Sequence, residues 1–339
     1  MELGCLFSFP VPSALQMFLL TFFILVIGCD MSQTADAEDR EAAMTSKDAL
    51  KFPVMAGGLL VGLYLLFKYL DAGLINSLLR IYFAAAGAGA CAFVALSVLK
   101  FIVDDEYSYF EIPLHWVKLA ERGVKVTRAR VVSLCLGSCA AYWWWATDHW
   151  LASNVLGVAF SLVGLASMNV GSVATGCLFL IALFFYDIFM VFGTGYLMGP
   201  HKVSIMEEVA TKVEGPIKLL FLLPPDEARG RSKPFGMLGL GDIIVPGIFL
   251  AILKRFDASN SGTLPNAPTP YFNAGIIAYA LGLVATNIAM YTMDSAQPAL
   301  LYLCPFVLVF PSLLALAKGE FSKFLSYSEE ERDSKEKKS

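Results

Sequence analysis

The chain has 339 residues, of which 57 % are hydrophobic and 16 % charged; its mean hydropathy is +0.64 and its formal net charge −4. So much apolar sequence cannot be buried in a water-soluble core, which excludes a soluble globular protein and leaves a polytopic membrane protein, all-α by the length of its apolar runs. The net charge decides little, because in such a protein the distribution of charge between loops matters more than its sum.

The first apolar run is Ala14 to Cys29. A secretory signal carries positive charge ahead of its apolar part, whereas the first basic residue here is Arg40, behind it. The run therefore reads as a spanning helix with the N-terminus lumenal; a cleaved signal is the alternative. The polar stretch 30–52 follows as a cytosolic loop. Further spans are expected at about 53–70, 74–102, 129–148, 151–168, 171–196, 236–254, 271–292 and 296–317, roughly nine in all at about 20 residues per span. Runs of that length without short alternating segments predict helices rather than strands. An odd number puts the C-terminus in the cytosol. About 17 basic residues then fall on the cytosolic side and about 8 on the other, a bias in the expected sense though not a clean one. The chain divides into 1–170, carrying helices one to five, 171–317, carrying helices six to nine, and a cytosolic tail, 318–339.

The loop 197–235 joins an amphipathic piece, SIMEEVATKVEGPIKLLFLL, to a polar one, PPDEARGRSKP. Helical periodicity fits part of the first piece, which suits a segment lying on the membrane surface. It is either a gate or a passive connector. Ala84 to Ala90, alternating alanine and glycine, and Gly57-Gly58 read as close helix-packing surfaces. Trp143, Trp144 and Trp145 read as interfacial anchors. Cys135 and Cys139 read as small packing residues, and Asn287 as an interhelical hydrogen-bonding residue.

Two aspartates stand out. Asp187 follows Tyr186 inside CLFLIALFFYDIFMVFGTGYLMG, and Asp242 follows Gly239, Leu240 and Gly241 in FGMLGLGDIIVPGIFLAIL. A carboxylate at bilayer depth costs roughly 2.5 to 3.5 kcal/mol, so it is rarely left there without a partner or a task. Successive spans run antiparallel, and counting along them puts each aspartate roughly 10 Å from the same membrane face at 1.5 Å per residue. They can therefore meet. Two carboxyls held close share a proton, which suits one to draw a proton from water while the other hydrogen-bonds a scissile carbonyl. A structural or ion-conducting pair fits the spacing as well.

Tyr186-Asp187, the G-x-G-D of Gly239 to Asp242, and Pro298-Ala299-Leu300 within QPALLYL stand in this order at membrane segments. Together they resemble the three signatures of the GxGD intramembrane aspartyl proteases, the family of signal peptide peptidase and presenilin. GVAFSLVG at 157–164, GPIKLLF and MLGLGDIIVPGIF resemble signal peptide peptidase in particular. The resemblance implies a presenilin-like fold and an aspartic endopeptidase with Asp187 and Asp242 as catalytic residues. Tyr186, Gly239, Leu240, Gly241, Gln297, Pro298, Ala299 and Leu300 become active-site support or substrate-binding residues. Read without the resemblance, Pro298 is simply a proline at a helix start. The implied substrates are transmembrane peptides, namely remnant signal peptides and type II membrane proteins in the endoplasmic reticulum. A non-proteolytic cation channel or a membrane-protein quality-control scaffold is the alternative.

No metal or organic cofactor is implied, and no nucleic acid. Expected partners are the substrates and membrane lipid, with a homo-oligomer and endoplasmic-reticulum quality-control components left open. The charged tail YSEEERDSKEKKS is expected to be disordered. Lys335 and Lys337 sit fifth and third from its end, as in a dilysine retrieval signal on a cytosolic terminus of an endoplasmic-reticulum membrane protein.

Overall fold

A computed structural model describes residues 13–34, 43–102, 108–112, 124–198, 204–222, 235–261, 268–293 and 297–329. The dilysine pattern and the polar part of the long loop lie outside the described residues.

Helix α1 (Ser13–Thr34) is followed by α2 (Ser46–Tyr69), which starts well before the expected residue 53. Thr45 and Asp48 are the reason. The Thr45 side chain accepts the Asp48 amide over 3.4 Å while the Asp48 carboxylate accepts the Thr45 amide over 3.3 Å. This reciprocal capping box satisfies two free donors and draws the end of the polar loop into the helix. Helix α3 (Ala72–Ile102) leads to α4 (Arg128–Thr147), which a left-handed Asp148 ends (φ 48°). Helix α5 (Trp150–Ser167) and α6 (Val173–Ile188) follow, and a π-helical turn, Phe189–Gly193, joins α6 to α7 (Thr194–Met198). After α8 (Ile205–Lys212) come α9 (Gly241–Ser261), α10 (Pro270–Met293), α11 (Leu300–Ala317) and α12 (Phe321–Leu325).

Among the described residues, seven helices are long and apolar enough to cross a membrane: α1, α2, α3, α5, α6 with its continuation to Tyr196, α10 and α11. Helix α4 opens with Arg128 and Arg130, and α9 carries Lys254, Arg255 and Asp257. Helix α9 is nonetheless the centre of the molecule. Ile243, Ile248, Phe249, Leu250, Ile252, Leu253 and Phe256 are at most 1 % exposed, packed among α1, α5, α6 and α10. Helix α4 lies outside, against α3, through Ala129, Ser133, Gly137 and Ala141 at four-residue steps. A β-carbon on Gly137 would stand 2.2 Å from the Ala88 carbonyl oxygen, so the alanine and glycine run of α3 is the close-packing surface expected of it. Gly57 packs closely as well, but Gly58 faces open space, and Cys135 and Cys139 are exposed on the outer side of α4 rather than packed.

The all-α expectation holds for the spans and fails in the loops. Strands β1 (Ser108–Ile112) and β2 (Val124–Thr127) pair antiparallel between α3 and α4. Strands β3 (Lys218–Leu222) and β4 (Phe235–Gly239) pair antiparallel between α8 and α9, with Lys218 opposite Gly239 and Leu222 opposite Phe235. The amphipathic piece is thus helical only over α8, and KLLFL is a strand. The seventh expected span, placed as helical from 236, begins as β4 because Gly236 and Gly239 weaken a helix and β3 offers a partner.

The tail is partly ordered, against expectation. The Val173 amide donates to the Tyr327 carbonyl over 3.3 Å, and the Glu329 amide to the Gly171 carbonyl over 2.9 Å. Arg255 pairs with Glu329 over 2.8 Å, with side chains only 4 % and 12 % exposed, and Asn169 donates to the same carboxylate over 3.0 Å. The Met44 amide bonds the Asn169 carbonyl over 2.8 Å, and Lys254 pairs with Asp30. One junction therefore gathers the ends of α1, α5 and α9, the approach to α2 and the chain after α12.

Candidate active site

Asp187 occupies the last turn of α6, just before the π-helical turn, and is 3 % exposed. Its carboxylate accepts a hydrogen bond from the Leu300 amide over 3.1 Å. Leu300 is the first residue of α11, and the N–H groups of a first helical turn have no partner within their own helix. Pro298 supplies no N–H, and its carbonyl accepts from Leu301 over 3.2 Å, closing the turn that aims the Leu300 amide outward. The proline-alanine-leucine motif is thus a helix start, and as a helix start it reaches Asp187.

Asp242 sits in the first turn of α9, nearer its helix start than the sequence suggested, and is half-buried. The charge of Asp187 acts on its carboxyl, and the Gly239 amide bonds it. A β-carbon on Gly239 would lie 3.1 Å from the Asp242 Oδ2, so the missing side chain is what admits the carboxylate there. Gly241 has nothing within 4 Å of the corresponding position, which leaves room beside Asp242. Leu240 is buried; its amide donates to the Ile217 carbonyl over 3.2 Å and its own carbonyl accepts from Ile244 over 2.9 Å. Strand β4 therefore runs directly into the aspartate turn.

Not every expected residue converges. Tyr186 is half-buried against α2, where a β-carbon on Gly57 would stand 3.4 Å from its Cε2. Gln297 is half-buried, Pro298 buried and Ala299 half-buried at the head of α11. Asn287 bonds its own helix, donating to the Leu283 carbonyl over 2.9 Å, rather than a neighbouring one. Two residues carried no sequence signal and lie at the site. Tyr279 of α10, 3 % exposed, donates its hydroxyl to the Asp242 carbonyl over 3.3 Å, and Cys304 of α11, 1 % exposed, feels the charge of both aspartates.

Residues 36–331 match the family model for signal peptide peptidase. The chain belongs to the signal peptide peptidase family. Human signal peptide peptidase is 37 % identical over 304 residues, covering 87 % of this chain and 76 % of the relative. A probable intramembrane protease of Schizosaccharomyces pombe is 33 % identical over 314 residues, 92 % of each chain. A solved presenilin-family intramembrane aspartate protease is similar with a TM-score of 0.57 at 14 % identity, over 90 % of this chain and 99 % of that one. This signal peptide peptidase family member therefore has the presenilin-like fold.

Proposed function

We propose that Asp187 and Asp242 are the catalytic pair of this protein. The chain is a multi-pass membrane protein and an intramembrane aspartic endopeptidase. The observation that carries the residue assignment is the Leu300 amide on the Asp187 carboxylate, which joins the third motif to the first while the second supplies Asp242 within reach of the Asp187 charge. In this reading one carboxylate takes a proton from water as the water oxygen adds to the scissile carbonyl carbon. The other, protonated, donates to the carbonyl oxygen. Collapse of the tetrahedral adduct breaks the C–N bond, and the departing amine takes up a proton. The proton is shared by the pair, so neither residue is the base on its own account.

The substrates are transmembrane peptides, remnant signal peptides and type II membrane proteins among them, in the membrane of the endoplasmic reticulum. A helix keeps its carbonyls in internal hydrogen bonds, so a substrate must unwind locally before it is cut. The open space at Gly241 supports an extended backbone lying there. We further read α4 and α9 as spans, giving nine, with the N-terminus lumenal and the C-terminus cytosolic. The contacts of the helix ends support the alternation between two faces, and the basic-residue bias supports its sense. Asp30, Met44, Asn169, Lys254 and Glu329 meet at one face, while Arg80 with Asp148 and Asn76 with Lys212 meet at the other.

The test uses purified protein in detergent, wild type beside Asp187→Ala and Asp242→Ala, incubated with a signal-peptide-like transmembrane peptide and read by mass spectrometry. Cleavage within the apolar segment by wild type alone supports the assignment. Equal cleavage by either variant overturns it.

A further inference from the structure

The segment between the two aspartates is held from the side by α5. Asn154, in the first turns of that helix, spends both ends of its carboxamide on one residue of β3. Its Nδ2 donates to the Leu220 carbonyl over 2.7 Å, and its Oδ1 accepts the Leu220 amide over 2.8 Å. These are the two bonds that a residue of a neighbouring antiparallel strand would make, supplied here by a side chain. Along the same face of α5, a β-carbon on Gly157 would stand 3.0 Å from a Leu219 methyl carbon and 3.5 Å from one of Leu240. One on Gly164 would stand 3.2 Å from Ile244 of α9. A single helix face thus follows β3, then the G-x-G-D turn, then α9.

The connection to Asp242 is short. Leu220 lies opposite Met237 and Lys218 opposite Gly239, and the Gly239 amide bonds the Asp242 carboxyl. Beside Asn154 opens a cavity of roughly 580 Å³ walled by apolar side chains such as Leu20, Val94 and Val158. Without the carboxamide, the Leu220 N–H and C=O face that apolar wall, and a polar backbone pair left unbonded there favours a displaced strand.

We propose that Asn154 is a positioning residue for Asp242: its carboxamide stands in for a strand partner of β3 and so sets the register of β4 against the aspartate turn. The inference rests on the catalytic reading of Asp242. Wild type, Asn154→Leu, Asn154→Asp and Asp242→Ala are compared in detergent with one transmembrane peptide, the active sites being counted with a non-hydrolysable hydroxyethylene peptide. Asn154→Leu, close in size and without either bond, is expected to lower kcat per active site about tenfold or more with KM within about twofold. Asn154→Asp keeps the acceptor for the Leu220 amide, loses the donor, and falls in the same direction; it decides the matter should Asn154→Leu not fold. A kcat per active site within about twofold of wild type in the folded variants overturns the proposal, as does a loss that follows only the number of active sites. Should Asp242→Ala cleave like wild type, the catalytic reading itself fails; an inactive Asp242→Ala beside fully active Asn154 variants sinks the positioning role alone.

Discussion

The Leu300 amide donates to the Asp187 carboxylate over 3.1 Å, across 113 residues of chain. Hydrogen bonds to charged groups contribute about 1.5–3 kcal/mol, and here the donor is a backbone group that no side-chain substitution removes. Replacing the amide by an ester, with leucic acid at position 300, deletes the N–H and keeps the side chain. We expect kcat to fall roughly 10- to 100-fold, and Leu300→Ala, which keeps the amide, to lose less. Equal losses in the two would show that the leucine side chain, not its amide, is what matters.

A pair of carboxyls that works with one proton between them is inactive when both are ionised and when both are protonated. The profile of kcat/KM against pH is therefore expected to be bell-shaped, and peptide cleavage across the pH range of stable folding measures it. A profile flat on either side would mean that only one of the two aspartates changes protonation state in the reaction.

Tyr279 is the one hydroxyl recorded on the Asp242 backbone carbonyl among the described residues. Tyr279→Phe keeps the ring and removes that bond, whose net value of about 0.5–1.5 kcal/mol corresponds to roughly two- to tenfold in kcat. Steady-state kinetics on the folded variant reads this. An unchanged kcat would make the hydroxyl a packing feature only.

Arg255 and Glu329 form an ion pair that is almost wholly buried, with Arg255 toward the opposite end of α9 from Asp242. Breaking one side of such a pair costs about 3–5 kcal/mol, because the other charge is left behind in a poor solvent. Glu329→Gln is expected to lower the Tm in detergent. Adding Arg255→Gln should cost less than the sum of the single changes, since the stranded charge is removed with it. Strict additivity would mean that the two residues are not energetically coupled.

The sequence alone determined the membrane class, the seven helices long and apolar enough to span, both aspartates and the three motifs. These signals are local: long apolar runs mark helices, and a charge inside one is conspicuous whatever its surroundings. The capping box at Thr45 and Asp48 is just as local, but the residues around it are polar and read as a loop. Only the tertiary structure decided that the Leu300 amide is the proline-alanine-leucine group reaching Asp187, that Tyr186 faces α2, that Tyr279 and Cys304 stand beside the pair, and that Asn154 holds β3. It also turned 235–239 into a strand and brought Glu329 back onto Arg255. An asparagine or tyrosine within an apolar helix carries the same local pattern whether it bonds its own turn, as Asn287 does, or a strand from another part of the chain, as Asn154 does. Which of these happens depends on what the neighbouring elements present at bonding distance, and that is set by packing rather than by spacing along the chain.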